Sequence, residues 1–151
     1  MNTELTPVAV AWDAWRTERG GSPQITRRQR ERLDQLVDYA RAHSPLYAER
    51  YRGLPAHVAA LEQLPPVTKP ELMHRFDDWV TDSEVHRSDL QQWIGDLSHL
   101  GHDYLDKYLV CTTSGSSGSP AILVLDHREL AVMNGLGYAR ALSNLLSRRI
   151  V

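Results

Sequence analysis

Two short apolar runs near the end of the chain restrict its fold more than any other feature. They are Tyr108-Leu109-Val110-Cys111-Thr112 and Ala121-Ile122-Leu123-Val124-Leu125. Each has strand length, and the second is continuously apolar, which predicts a strand buried on both faces. The segment between them is almost entirely Ser, Thr and Gly, closed by Pro120. A strand–loop–strand unit is therefore expected, and everything else must be arranged around it.

The rest of the chain has helical spacing. Trp12 and Trp15 lie on one side of a helix over Val8–Arg19, broken by Gly20-Gly21-Ser22-Pro23. Ser22 is suited to cap the next helix and Pro23 to open it. Leu33, Leu36, Val37 and Ala40 then follow the spacing of one buried stripe. That helix is expected to stop near Ser44, because Pro45 disfavours helical geometry at the residue before it. A short helix through Tyr47 and Tyr51 should end at Gly53. Thr68 and Glu71 have the spacing of a capping box. Leu90, Trp93, Ile94 and Leu97 should share a face of a helix beginning at Ser88 and ending before Gly101. After Asp126 a last helix runs to about Arg148; Gly135 and Gly137 inside it imply close packing. The fold class is thus α/β: mostly helical, with a two-stranded segment around the Ser/Gly loop. Residues 1–103 form a helical N-terminal region and 104–151 a strand–loop–strand–helix unit, both parts of one incomplete domain.

Bulk properties exclude several classes. A formal charge of −2 gives no basic footprint for nucleic acid or an anionic membrane. Arg27, Arg28, Arg30 and Arg32 are read as a solvated helix face. The single cysteine, Cys111, cannot form an internal disulfide and suits a buried strand position. No apolar run approaches membrane-spanning length, so a cytoplasmic protein is the default expectation. His99, His102 and Asp103 form a sparse metal set with no further ligands at the usual spacing, and a polar helix end is preferred. The tryptophans read as packing residues.

The loop carries the candidate chemistry. It reads Thr113-Ser114-Gly115-Ser116-Ser117-Gly118-Ser119-Pro120. Glycine permits backbone angles closed to other residues and close approach of the main chain to a ligand. Converging N–H groups and hydroxyls suit an anion without adding charge. The competing reading is a flexible linker; the flanking apolar strands and the stiff Pro120 favour a built loop. The glycines are three apart with no following Lys, so this is not a Walker loop, and no Gly-x-Ser-x-Gly elbow is present.

The order Thr-Ser-Gly-Ser-Ser-Gly-x-Pro resembles the first signature loop of the adenylate-forming superfamily of acyl-CoA synthetases, luciferases and adenylation domains. Tyr39-Ala40-Arg41-Ala42-His43-Ser44-Pro45-Leu46-Tyr47 and Leu61-Glu62-Gln63-Leu64-Pro65-Pro66-Val67-Thr68-Lys69-Pro70-Glu71-Leu72 resemble two further segments of phenylacetate–CoA ligase-like members. The resemblance covers about 33–142. It implies an N-terminal fragment of the large domain of an adenylate-forming enzyme. ATP and Mg2+ would be bound, with Thr113, Ser114, Gly115, Ser116, Ser117 and Gly118 on the ATP phosphates. A carboxylic acid, first an aryl acid, would become an acyl-AMP and then a thioester with coenzyme A or a carrier thiol. Many members place a Lys beside the loop proline; Ser119 and Ala121 stand there in this chain, and Lys107 and Arg128 are the nearest basic residues in sequence. The adenine, acyl, ribose, hinge and catalytic-lysine segments of full members lie beyond the loop. The expectation is therefore an incomplete ligase without turnover by itself. The alternative is a non-catalytic interaction or dimerisation module, including a homodimer.

Overall fold

The computed structural model describes residues 5–58, 60–115 and 120–147. Seven helices and two strands follow in order: α1 Pro7–Arg19, α2 Gly21–His43, α3 Pro45–Arg50, α4 Lys69–His74, α5 Phe76–Trp79, α6 Arg87–Gly95, β1 Tyr108–Thr112, β2 Ile122–Asp126 and α7 His127–Ser147. Single 3-10 turns lie at Leu61–Gln63 and Leu97–His99. The molecule is thus mostly helical with one small antiparallel sheet. Among the described residues no helix is long and apolar enough to cross a membrane.

Caps set most boundaries. Thr6 accepts from Ala9 N–H and starts α1. Gly20 alone separates α1 from α2, and Gly21 bends the chain with φ 74°. Ser22 and Pro23 therefore lie inside the first turn of α2 rather than ahead of it, correcting the expected cap. Ser44 ends α2 and caps α3, its hydroxyl accepting from Tyr47 N–H and donating to Asp78 O at 3.0 Å. Thr68 Oγ1 accepts from Glu71 N–H as expected. The Glu71 carboxylate, however, is bound by Arg50 at 2.8 and 3.0 Å, so it ties α4 to α3. At α7 the capping box is complete: Asp126 Oδ1 accepts from Glu129 N–H and Glu129 Oε2 from Asp126 N–H.

Two cores result. The smaller packs Val37 of α2 against Tyr51 and Val58, with Leu33, Ala40 and Leu64 around them. Leu36 is left 64% exposed, so the expected stripe is narrower by one residue. The larger core joins Met73, Phe76, Val85, Leu90 and Tyr104 to Ala121 and Ile122. It crosses the 103/104 boundary, where only the type of secondary structure changes. Leu90 and Trp93 face this core, whereas Leu97 belongs to the 3-10 turn and is 84% exposed.

The sheet pairs Tyr108 with Asp126, Val110 with Val124 and Thr112 with Ile122. Because side chains alternate along a strand, Tyr108, Val110, Ile122 and Val124 all face the core. Leu109 and Leu123 point the other way and are exposed. The second strand is therefore buried on one face only, against the sequence expectation. Cys111, on that opposite side, is half-buried and reduced.

The last helix returns to the first. Gly135 of α7 is buried where a Cβ would stand 2.5 Å from Val10 Cβ and 2.6 Å from Pro7 O. Close packing explains this glycine. It does not explain Gly137, which has nothing within 4 Å of its would-be Cβ. Asp13 adds a polar tie by accepting from Arg28 and Arg32 at 2.8 and 2.9 Å. The arginine run is thus partly a clamp between α1 and α2.

Candidate functional site

The two strands bring the ends of the Ser/Gly loop together at a closed neck. Thr113 N–H donates to Ala121 O at 3.0 Å, and Ala121 N–H donates to Thr113 Oγ1 at 2.9 Å. The Thr113 oxygen is therefore an acceptor in the neck, leaving its proton available to a ligand. Ser114 is exposed. Gly115 takes φ 67°, and a Cβ there would meet Pro120 N at 3.0 Å. A side chain at this position is disfavoured both by backbone geometry and by the close approach of Pro120. Ser116, Ser117 and Gly118, with Ser119, lie outside the described residues.

A cleft of about 590 Å³ opens at the base of this neck. Thr112, Pro120 and Ile122 form its hairpin wall; Pro70, Met73 and His74 of α4 and Arg87, Gln91 and Ile94 of α6 form the other side. Met73 fixes the geometry. Its sulfur accepts from Ile122 N–H at 3.5 Å, and its carbonyl accepts from Arg87 Nη1 at 2.6 Å. One residue thus holds both the start of β2 and the guanidinium across from it.

The basic residues nearest in sequence serve elsewhere. Lys107 Nζ lies 2.8 Å from Glu84 and 3.9 Å from Asp82, which hold its ammonium above the ordinary lysine range. Tyr108 OH donates to Asp82 at 2.5 Å. That bond, with the Glu84 N–H, holds the Asp82 carboxyl below its usual range, while burial and the same carboxylate push Tyr108 up. Arg128 is exposed in the first turn of α7. The cation that does reach the loop base, Arg87, has no sequence signature. It sits 25 residues before Thr112 and is brought there by the packing of α6 on β2.

Among the described residues no group of three or more His, Cys, Asp or Glu side chains is placed around a common point. His99 stacks on Trp93 at 3.7 Å, and Asp103 pairs with His127, so the sparse His/Asp set is dispersed. The other two segments of the family resemblance act as architecture here, through the Ser44 and Thr68 caps. A scan against protein-family models and searches of curated proteins and of solved structures find no match to this chain.

Proposed function

We propose that this chain is the N-terminal portion of an ATP-dependent acyl-adenylate-forming ligase, with its Ser/Gly loop on the nucleotide phosphates. The observation that carries the reading is the loop neck. A free linker has no need of a doubly hydrogen-bonded closure or of a glycine at φ 67° packed on a proline. A fixed neck of this kind suits a loop whose backbone N–H groups converge on an anion. In this reading Thr113, Ser114, Gly115, Ser116, Ser117 and Gly118 bind and orient the pyrophosphate part of ATP. Their donors stabilise charge as it develops when a carboxylate displaces pyrophosphate at the α-phosphorus. Magnesium, carried on the nucleotide, shares that charge. The carboxylic acid, aryl by resemblance, and the coenzyme A or carrier thiol bind outside the described surface.

Thermal denaturation with and without magnesium-ATP tests this. Ligand at about a hundredfold excess over Kd stabilises by about 2.7 kcal/mol, which raises Tm by about 5–10 °C for a chain of this size. Replacing Gly115 and Gly118 together with valine should abolish the shift. A shift that survives the double replacement removes the loop from the proposal.

A second reading has its own observation. Leu109 and Leu123 on the outer sheet face, and Met133, Leu136 and Leu142 on α7, are each more than a third exposed. Exposed apolar surface of this kind marks association sites. Under this reading the chain is an interaction or dimerisation module, and magnesium-ATP leaves Tm unchanged.

A further inference from the structure

Five of the described arginines are half-buried: Arg28, Arg41, Arg50, Arg75 and Arg87. Four of them lie within 4 Å of a carboxylate, namely Asp13, Asp38, Glu71 and Glu49 respectively. Among the described residues Arg87 has no such partner. Its Nη1 is bound to the Met73 carbonyl, and its Nε, like those of Arg28 and Arg50, is buried with no hydrogen-bond partner among the described residues. Asp77 accepts from the Arg87 backbone N–H at 2.8 Å and pairs with His86 rather than with the guanidinium. A partly desolvated cation without a counter-charge is costly unless an anion completes it. This one lines the cleft together with Thr112 and Pro120, the residues on either side of the loop neck.

We infer that Arg87, with Gln91 beside it on α6, forms an oxyanion subsite that extends the loop and takes a phosphoryl group of a polyphosphate. The inference rests on the phosphate reading of the loop. It supplies what the loop itself lacks, a fixed positive charge, from a helix distant in sequence. Planar guanidinium donors suit phosphoryl oxygens, and one nitrogen is already anchored by Met73, so little side-chain entropy is lost on binding. Gln91 adds an amide donor one turn along the helix. The shared chemistry is the terminal phosphoryl pair, whether it arrives on ATP or as free pyrophosphate.

Calorimetric titration of the purified chain tests this with three probes: pyrophosphate, magnesium-ATP and AMP. Pyrophosphate binding alone places the subsite on the free product; binding of ATP with weak AMP binding places it on the β- and γ-phosphates. Arg87→Gln should weaken pyrophosphate and ATP binding by roughly tenfold to a hundredfold, the loss of a charged hydrogen bond. Gln91→Glu leaves the Arg87–Met73 bond intact and should weaken both by roughly threefold to fivefold, less at high salt. Wild-type affinity in folded Arg87→Gln, or in Gln91→Glu should the first variant not fold, overturns the subsite. If the Gly115 and Gly118 replacements still abolish binding in that case, the loop reading stands without it. Loss in Arg87→Gln with binding retained in the glycine variants supports the subsite and overturns the loop. No binding of either probe by the wild type overturns both.

Discussion

At the scale of single residues, Tyr108 and Asp82 offer the most direct test of the electrostatics. The Tyr108 hydroxyl holds Asp82 in its ionised form, and Asp82 in turn keeps Tyr108 protonated. The folded Asp82 therefore loses its proton more readily than the ordinary carboxyl at 3.8. Its contribution to stability is complete above that value and is lost as pH falls through the lower folded value. Tyr108→Phe should cost about 1.5–3 kcal/mol near neutral pH, the range for a hydrogen bond to a charged group. Denaturant melts from pH 6 to pH 3 should also show a shallower acid loss in the variant; an unchanged slope would assign the acid sensitivity to other carboxylates. Gly115 gives a second test. Gly115→Ala forces a side chain into the left-handed region, at about 1–2 kcal/mol, against Pro120. Proteolysis restricted to 113–120 should become faster in this variant while the core melts normally.

Helices and strands were legible in the sequence where a local chemical rule decides them. Ser44 and Thr68 stop and start helices because their hydroxyls reach a backbone N–H a few residues on, and that geometry is written in the spacing. The two strands were legible for the same reason: a run of apolar residues has few alternatives. What depended on the neighbour was not legible. Leu36 and Leu97 have the periodicity of buried residues, yet no described element covers them. Leu123 looked enclosed in a continuous apolar run, but only the alternate side of the sheet meets α4–α6. Gly135 and Gly137 were indistinguishable by type, and only the approach of α1 separates them. They make a paired prediction. Gly137→Ala has open space and should gain about 0.5–1 kcal/mol from helix propensity. Gly135→Ala drives a methyl into Val10 and the Pro7 carbonyl and should lose about 1–3 kcal/mol. Equal effects in chemical denaturation would mean that α1 does not seat on α7 as described.

For the molecule as a whole, the candidate site is a product of tertiary packing. The loop could be found by reading along the chain, because glycine and serine in that order are rare between strands. Arg87 could not, because a guanidinium matters there only through Met73, Ile122 and the absence of a carboxylate. The outer face of the sheet belongs to the same scale. If it associates, Leu123→Lys should shift the chain to monomer in sedimentation velocity at micromolar concentration. A wild-type chain that is already monomeric there would leave the interaction reading without support.

The seat of α1 on Gly135 also fixes an order of events during synthesis. Val10 and Ala11 leave the ribosome early, but the surface that buries them is not made until α7 follows. At an elongation rate of about 5–20 residues per second that interval is on the order of ten seconds. Throughout it the first helix has only α2 to pack on, through the Asp13 clamp to Arg28 and Arg32, and a helix of its length is marginal alone in water. The α1–α7 contact therefore joins the two most distant helices of the described chain and can close only after every element between them has been made.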